Sequence, residues 1–355
     1  MWLKLAEISK TWGKFQLKAI NMSIEDGEYF VILGPTGAGK TLLLETIMGF
    51  YKPDKGEIIL DGENITDVPP EKRKIGYVPQ KCALFPHMTV RQNIEFGLKM
   101  QGKEKTERYK IATGVLDLIG LKSLENRHPA DLSGGEKQKV ALARVLAFQP
   151  KTILLDEPLT ALDPETNKAL KNELRRIHKE GRTLIHVTHD QLEGFSLGDN
   201  VAMMKSGEIV QTGKAKEIYA NPQNEFVARF LGYENIFNAQ TTATEGAVSV
   251  MNIAGVTLRM SGPVNNLKST ITVRPEDITV LPYPANNADT NFLKGKITEC
   301  IDQGPVVAIT VDAGICLKAV MTKSAFLEKN LETGQDAWVA FKYASVRAII
   351  HPAPA

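Results

Sequence analysis

One glycine-rich segment between two apolar runs constrains the fold of this chain more than any other feature. Its residues are Gly34, Pro35, Thr36, Gly37, Ala38, Gly39, Lys40 and Thr41, which match the pattern G-x-x-x-x-G-K-[ST]. Residues 29–33 predict a buried strand before it, and residues 42–48 predict a helix after it. Glycines let backbone N–H groups curl around an oxyanion, and the positive end of the helix dipole adds attraction. The segment therefore predicts a nucleotide site, in which Lys40 reaches the terminal phosphates and Thr41 ligates Mg²⁺.

Length and composition narrow the class of protein. A chain of 355 residues with 43% hydrophobic and 24% charged residues is typical of a globular protein of two or three domains. Lysine and arginine total 43 against 41 acidic residues, and the net charge of +2 gives no support for a nucleic-acid partner. The three cysteines show no paired metal spacing and suggest a reducing compartment. The first residues lack the apolar core of a signal peptide, and no apolar run approaches the ~18 residues of a membrane span. We therefore expect a partner to hold the protein at any membrane where it works.

Acidic, amide and imidazole groups come directly after buried strands further along the chain. The apolar run 152–155 ends in Asp156 and Glu157, and so apolar a strand rarely ends in paired acids unless they bind something. Asp156 fits the Mg²⁺ shell of a phosphoryl-transfer site, and Glu157 can orient and deprotonate water. Gln80 and His189 stand just past two more predicted strands, where the ligand-contacting groups of open α/β sheets collect.

A second helix start is also suited to bind an anion. Ser133 and Glu136 form an S-x-x-E capping box ahead of an apolar-periodic helix. Gly134 and Gly135 clear space beside the free N–H groups of that helix start. Most capping boxes only cap helices, so this pattern gains its meaning from the rest of the chain.

Two segments leave alternatives open on local sequence. Trp12, in a turn-like stretch, fits a core or hairpin tryptophan better than a flat surface for a purine base. Residues 81–90 are apolar without a clean period, which suits a packed loop or a surface for docking another protein. In the second interpretation Leu84, Phe85 and Met88 are the anchors of that surface.

Taken together, these signals stand in an order that resembles the ATP-binding cassette (ABC) ATPases over roughly residues 1–230. The order is the phosphate loop, Gln80, the segment 132–136, Asp156 and Glu157 with Asp163, and His189. The resemblance implies an α/β P-loop NTPase domain over residues 1–234, which binds ATP with Mg²⁺ and hydrolyses the ATP.

The same resemblance implies that two copies of the chain hold two ATP molecules head to tail. It implies that Asp163 lies at the dimer contact. It also implies that the ATP of one copy is covered by four residues of the other copy, namely Ser133, Gly134, Gly135 and Glu136. The resemblance further implies that Glu157 is the general base and that His189 contacts the γ-phosphate. It implies that Trp12 stacks on adenine and that Mg²⁺ is bound by Thr41, Gln80 and Asp156. The family more often has Gln where Glu136 stands, and we expect Glu136 to be tolerated because it completes the capping box.

The second domain, residues 235–355, changes to short β-like alternation with many turns. Residues 250–259 resemble residues 309–318, and residues 273–278 match 341–346 in position, which predicts two repeated small-barrel (OB-like) units in an all-β domain. This resembles the regulatory tail of importer ATPases, and its second unit looks closest to molybdate-binding barrels. The likeness suggests an oxyanion site from Lys323, Ser324, Lys342 and Ser345, which are otherwise ordinary surface residues.

The function predicted from these likenesses is the ATP-hydrolysing subunit of a molybdate/tungstate importer, with substrate feedback through the tail. Expected partners are a second copy of the chain, a permease docking near Phe85, Pro86 and His87, and indirectly an extracytoplasmic solute-binding protein. The expected location is the cytoplasmic face of the cell membrane. The alternatives are an importer for sulfate, iron, polyamine or sugar, a soluble cassette ATPase of DNA repair or ribosomes, and a non-catalytic nucleotide-binding module.

Overall fold

The structure, a computed structural model, describes residues 3–160, 162–263, 268–284 and 287–349. The chain divides into two units, of which the first ends at Ile218 and the second begins at Tyr219. The division lies ahead of the boundary predicted after residue 234. Tyr219 and Tyr233 hold the guanidinium of Arg274 at 3.8 and 4.1 Å from their ring centroids, which ties the segment before residue 234 to the second unit.

The first unit contains two sheets. Its strands are β1 (Leu3–Trp12), β2 (Phe15–Ile24), β3 (Tyr29–Leu33), β4 (Lys55–Leu60), β5 (Glu63–Asn64), β6 (Ile75–Val78), β7 (Thr152–Asp156), β8 (Thr183–Thr188), β9 (Asn200–Lys205) and β10 (Glu208–Lys214). One sheet has the order β2-β1-β4-β5 and is antiparallel, as the alternating sequence of residues 1–25 predicts. The other has the order β10-β9-β3-β8-β7-β6, and it is parallel except for the pairing of β9 with β10.

The parallel sheet places the ends of four strands at one edge. Strands β3, β7 and β8 are buried at every residue, because a sheet covered on both faces needs apolar side chains in both directions. Leu33 of β3 pairs with Thr188 of β8, Val187 pairs with Asp156 of β7, and Leu155 pairs with Val78 of β6. This register brings the residues that follow each strand to the same carboxyl edge.

Nine helices are found in the part of the chain that the structure describes. They are α1 (Lys40–Met48), α2 (Val90–Met100), α3 (Lys105–Leu118), α4 (Gly134–Leu146), α5 (Pro164–Lys179), α6 (Gln191–Leu197), α7 (Ala215–Ala220), α8 (Glu225–Phe230) and α9 (Lys323–Glu328). Helices α1, α5 and α6 are the next helices after β3, β7 and β8, and they start seven, eight and three residues after those strands end. None of the described helices is both long and apolar enough to cross a membrane.

The second unit contains two five-stranded antiparallel sheets that share one apolar core. Its strands are β11 (Asn235–Glu245), β12 (Val248–Ile253), β13 (Val256–Ser261), β14 (Lys268–Val273), β15 (Thr279–Leu281), β16 (Thr290–Asp302), β17 (Val306–Asp312), β18 (Cys316–Thr322), β19 (Asp336–Lys342) and β20 (Arg347–Ile349). The sheet orders are β13-β12-β11-β14-β20 and β18-β17-β16-β19-β15. The two orders correspond strand for strand, except that each half contributes its last strand to the sheet of the other.

Two buried asparagines occupy matching places in these halves. Asn235, at the start of β11, accepts a hydrogen bond from the Lys318 backbone N–H at 2.7 Å and donates to the Lys318 carbonyl at 2.8 Å. Asn291, near the start of β16, makes the same pair with the backbone of Arg259, at 2.7 and 2.8 Å. Each asparagine therefore joins the first strand of one half to the third strand of the other. Sequence analysis did not identify these side-chain-to-backbone contacts, because they join residues about 30 and 80 positions apart in the chain.

Candidate active site

The glycine-rich loop joins β3 to α1 in a shape that two of its glycines make possible. A Cβ on Gly34 would lie 2.2 Å from the Met204 carbonyl oxygen, so no larger residue fits there. Gly39 has φ of +102°, and a Cβ on it would lie 2.6 Å from the ring of Phe15. Gly39 is also the N-cap of α1 and makes no side-chain cap bond, which leaves the amides of the first turn available to an anion.

Lys40 is buried at the centre of this loop. Its ammonium donates to the carbonyls of Gly34 at 2.9 Å and Pro35 at 3.1 Å, and it lies 3.9 Å from Glu157 Oε1. Burial lowers the pKa of Lys40, while the carboxylates of Glu157 and Asp156 act in the opposite direction. The structure thus holds a buried cation between two loop carbonyls and the Glu157 carboxylate.

Asp156 and Thr41 meet where the sequence predicts the metal shell. The Thr41 hydroxyl donates to Asp156 Oδ1 at 2.9 Å, and the Tyr77 hydroxyl donates to Oδ2 at 3.3 Å. Burial raises the pKa of Asp156, although the hydrogen bonds from Thr41 and Tyr77 oppose that shift. No cluster of three metal-ligating side chains occurs among the residues that the structure describes. One carboxylate and one hydroxyl suit Mg²⁺, which takes its remaining ligands from water and phosphate.

Glu157 gathers the other predicted groups around one carboxylate. Its Oε2 accepts hydrogen bonds from Gln80 Nε2 at 3.1 Å and the Thr160 hydroxyl at 3.2 Å, and its Oε1 lies 3.1 Å from His189 Nδ1. The backbone of Glu157 has φ of +45°, which few non-glycine residues adopt and which often marks a functional site. Sequence reasoning identified Gln80, Glu157 and His189 but missed Thr160, since a threonine four residues past the strand carries no motif.

The start of α4, where the sequence predicts a second anion-binding site, makes its hydrogen bonds within itself. Ser133 Oγ accepts from the Glu136 N–H at 3.2 Å, and Glu136 Oε2 accepts from the Ser133 N–H at 2.7 Å, so the predicted capping box is present. Ser133 and Gly134 are exposed. A Cβ on Gly135 would lie 2.2 Å from Thr166 Cγ2, which shows how closely α4 approaches α5 here.

Asp163 lies next to that contact as the N-cap of α5. Its Oδ1 accepts from the Thr166 N–H at 3.0 Å, and hydrogen bonding from Thr166 lowers the pKa of Asp163. Asp163 is therefore near the start of α4 rather than in the cluster around Glu157. The residues of one chain thus form two groups, one at the phosphate loop and one at the exposed start of α4.

Trp12 stands at the end of the β1–β2 hairpin, opposite Phe15. Phe15 is the residue whose ring packs on Gly39, so the hairpin end reaches the phosphate loop. The Trp12 ring meets the Tyr51 ring edge-on at 4.8 Å, with Lys10 Nζ 5.4 Å from its centroid. The indole is half-buried, which leaves part of its surface open beside the loop.

The apolar segment 81–90 is tied down by a residue that sequence reasoning missed. Asn93 of α2 is buried, accepts from the Phe85 N–H at 2.8 Å, and donates to the carbonyls of Phe85, Met88 and Thr89 at 3.0–3.1 Å. An asparagine inside a helix carries no recognisable signal, because its partners lie in the preceding loop. The segment is thus a packed loop with a defined backbone.

The outer surface of this loop combines aromatic, cationic and exposed residues. The Phe85 ring lies 4.5 Å from that of Phe96, and the Arg144 guanidinium lies 4.8 Å from the Phe85 centroid. Pro86 and His87 are exposed beside them. The segment is packed beneath, as the packed-loop interpretation predicts, and it presents an outer face, so the docking surface stays a prediction.

The structure does not bring together the four residues predicted to bind an oxyanion. Lys323 and Ser324 follow β18 at the end of the sheet where β16 finishes, and Lys323 is paired with Asp302 at 2.7 Å. Lys342 pairs in register with Thr290, where β16 begins, and Ser345 follows it. Strand β16 has 13 residues, which places the two pairs on the order of 40 Å apart. A single site from Lys323, Ser324, Lys342 and Ser345 of one chain is therefore not formed, because the length of β16 separates the first two residues from the last two.

Comparison with known proteins gives matches over both units. Family models match residues 17–160, as ABC transporter, and residues 288–348, as TOBE domain. The molybdate/tungstate import ATP-binding protein WtpC of Pyrococcus horikoshii is 40% identical over 346 residues, covering 97% of this chain and 99% of that protein. The spermidine/putrescine import ATP-binding protein PotA of Roseobacter denitrificans is 40% identical over 350 residues, covering 96% and 95%. A solved dimeric ATP-binding cassette, in a post-hydrolysis state with ADP and Pi, is 33% identical with a TM-score of 0.56, covering 60% of this chain and 98% of that chain. These matches confirm the predicted α/β P-loop fold followed by an all-β, OB-like domain.

Proposed function

This chain belongs to the ATP-binding subunits of ABC transporters, and from that premise we propose that it powers an importer for molybdate or tungstate. Import subunits of this family are ATP hydrolases coupled to transport, so the chain is the ATPase subunit of an importer. The observation that carries the choice of solute is the likeness to three proteins named as molybdate/tungstate import ATP-binding proteins. Two of these likenesses extend over 97% of the chain and therefore include the second unit.

The chemistry follows from the groups at the carboxyl edge of the parallel sheet. Lys40 and the loop amides hold the terminal phosphates of ATP, and Glu157 takes the proton of the attacking water. The contacts of Gln80, Thr160 and His189 to Glu157 support this assignment, because they fix both carboxylate oxygens in place before water arrives. His189 is exposed enough on its other side to contact the γ-phosphate.

Mg²⁺ fits the neighbouring oxygen donors. Thr41 and Asp156 would hold the ion, with Gln80 at its edge, and the bound ion supplies charge neutralisation for the phosphate oxygens. The Tyr77 hydroxyl orients Asp156, which leaves the remaining lone pairs of the carboxylate available for coordination.

A second copy of the chain completes the ATP site in this proposal. In the dimer, the exposed Ser133 and Gly134 at the start of α4 contact the ATP molecule that the partner holds. Gly135 and Glu136 follow them in the first turn of α4 and complete this contact surface. The dimeric state of the solved cassettes supports this arrangement. Trp12 stacks on the adenine, and Asp163 lies at the contact between the copies.

The permease is expected at the outer surface of the loop that carries Phe85, Pro86 and His87. Its aromatic and cationic side chains provide an amphipathic face for a short helix of a membrane subunit. The chain would then be held peripherally at the cytoplasmic face of the membrane, with a solute-binding protein acting on the far side.

The solute is tested by uptake in cells that depend on this chain. We expect cellular molybdenum and tungsten, measured by mass spectrometry at nanomolar supply, to fall when the gene is deleted and to return with the parental chain. The Glu157→Gln variant is the matched control, since it changes one atom of the active site and leaves the folded chain in place. Equal metal accumulation with the parental chain and with Glu157→Gln would overturn the proposed solute.

A polyamine importer is the second candidate. The likeness to PotA proteins is as extensive as the likeness to the molybdate/tungstate proteins. Uptake of radiolabelled spermidine in the same strains decides between them, because only one solute should depend on intact Glu157.

A further inference from the structure

A closed ring of hydrogen bonds surrounds the backbone of His189. The Thr188 hydroxyl donates to Glu193 Oε2 at 2.7 Å and accepts from the Asp190 N–H at 3.0 Å. The Asp190 carboxylate in turn accepts from the Glu193 N–H at 3.0 Å, as the N-cap of α6. His189 is the one residue between Thr188 and Asp190, so the ring holds the turn that carries it from both sides.

The direction of these bonds makes Glu193 the residue that orients the ring. A hydroxyl has one proton, and donating it to Glu193 leaves its lone pairs free for the Asp190 N–H. Without a carboxylate acceptor the orientation of the Thr188 O–H bond is not fixed, so the lone pair that accepts from the Asp190 N–H is no longer held toward it. The ring thus depends on both its hydroxyl and its acidic member.

The ring is buried, whereas the side chain that it serves is not. Thr188 is 0% and Glu193 4% exposed, while the side chain of His189 is 46% exposed. Packing therefore does little to hold the imidazole, and the backbone turn sets where it lies. Its Nδ1 is 3.1 Å from Glu157 Oε1, a distance that a small movement of the turn would break.

Glu193 is also connected to the segment on the other side of that contact. Asn167 of α5 donates to the Leu159 carbonyl at 3.3 Å, two residues after Glu157. The Asn167 side chain is also near enough to Glu193 to lower the pKa of that carboxyl. Burial raises the pKa of Glu193, and a buried carboxyl is retained at a cost that an apolar residue would avoid. The carboxyl of Glu193 thus anchors the turn of His189 and lies beside Asn167, which bonds the segment that follows Glu157.

We propose that Thr188 and Glu193 are positioning residues for ATP hydrolysis, which act by fixing His189 against Glu157. Neither side chain is placed to touch the nucleotide, since both are covered by protein. The inference rests on the proposed role of His189 and adds the residues through which that role is maintained.

Two substitutions of nearly equal size at position 188 give the test. Thr188→Val keeps the volume and removes both hydrogen bonds, whereas Thr188→Ser keeps the hydroxyl and removes a methyl group. In the purified full chain with Mg-ATP we expect Thr188→Val to lower kcat about tenfold or more, because small misplacements at a reacting centre are costly. KM should stay within about twofold of the parental value, and Thr188→Ser should keep kcat within about threefold.

A double-mutant cycle with His189→Ala separates positioning from a general structural role. If Thr188 acts through His189, Thr188→Val should change kcat less than about twofold in the His189→Ala background. An equal loss in both backgrounds, or a parental kcat for Thr188→Val, would overturn the inference while the role of His189 stood. A parental kcat for His189→Ala would instead overturn the proposed role of His189 itself.

A second site keeps the test open if Thr188→Val does not fold. Glu193→Gln retains an oxygen that accepts from Thr188, and Glu193→Leu retains the volume without an acceptor. We expect the leucine variant to lose kcat by the larger factor, again only when His189 is present. Equal rates for the two variants would refute the positioning role of Glu193.

Discussion

Replacing Glu157 by Gln should nearly abolish turnover while leaving the nucleotide site assembled. The carboxylate makes three contacts, with Gln80, Thr160 and His189, at 3.1–3.2 Å. A glutamine of the same shape can turn its carbonyl oxygen toward Gln80 and Thr160 and its amide toward the His189 ring, whose Nδ1 then accepts because the imidazole carries its proton on Nε2. All three contacts can therefore be kept, with the direction of the His189 bond reversed, while the variant removes the negative charge and the proton acceptor.

The expected loss in rate follows from that comparison. Removing a positioned general base typically costs about 10²–10⁴-fold in rate, which corresponds to about 3–5 kcal/mol of transition-state stabilisation. Lys40, 3.9 Å from Glu157 Oε1, also loses an opposing charge, which should strengthen its hold on ATP phosphates rather than weaken it.

Single-turnover hydrolysis and nucleotide binding measure the two expectations separately. The purified full chain is mixed with limiting radiolabelled ATP and Mg²⁺, and phosphate release is followed alongside equilibrium ATP binding. We expect slow release with undiminished binding. Thr160→Val is the matched control, since it removes one contact to the same oxygen and leaves the base, and it should slow hydrolysis less than about tenfold. A parental rate for Glu157→Gln would refute the assignment of the general base.

Three further predictions concern the dimer, the buried histidine and the second unit. Mixing a chain inactivated by Lys40→Ala with one inactivated by Ser133→Arg should restore ATPase activity, because mixed dimers contain one intact shared site. An ATPase rate of the mixture no higher than that of either chain alone would contradict the shared pocket. Burial lowers the pKa of His186 to about 3, against about 6.5 in the unfolded state. Between those values the unfolded state binds one proton more, so the free energy of unfolding falls as the pH drops below 6.5, by up to about 1.4 kcal/mol per pH unit. Urea unfolding from pH 7 to 5 should therefore show a shallower dependence of stability on pH for His186→Gln, and an unchanged dependence would contradict this prediction. Asn235→Ala should lower the free energy of unfolding in urea by about 3 kcal/mol, because both Lys318 backbone groups lose their partner. Asn291→Ala should have the same effect, because the Arg259 backbone groups lose theirs. A change below about 0.5 kcal/mol would show that water replaces the side chain.

Local sequence was sufficient to predict the groups to which we assign phosphate binding and hydrolysis. The phosphate loop, the capping box at Ser133 and the pair Asp156–Glu157 are each defined by spacing within a few residues. Their geometry follows from backbone conformation at a strand or helix end, so sequence patterns predict them directly. The capping box is present in the structure as predicted, with Ser133 and Glu136 exchanging hydrogen bonds.

Side chains that support these groups were not predictable in the same way. Tyr77, Thr160, Glu193 and Asn93 carry no motif, and each acts by reaching a partner in another element. Their importance depends on the register of parallel strands and on the angle of helices, which nonlocal packing determines. A single sequence contains no periodic signal for such contacts.

The second unit shows both sides of this contrast. The resemblance of residues 250–259 to 309–318 indicated a duplication, and the two sheets have corresponding strand orders. The exchange of β15 and β20 between the halves, and the distance between Lys323 and Lys342, came only from the tertiary structure. Repetition is recorded in local patterns of alternation and turns, whereas the choice of partner for an edge strand depends on which open edge lies nearest after the chain has folded.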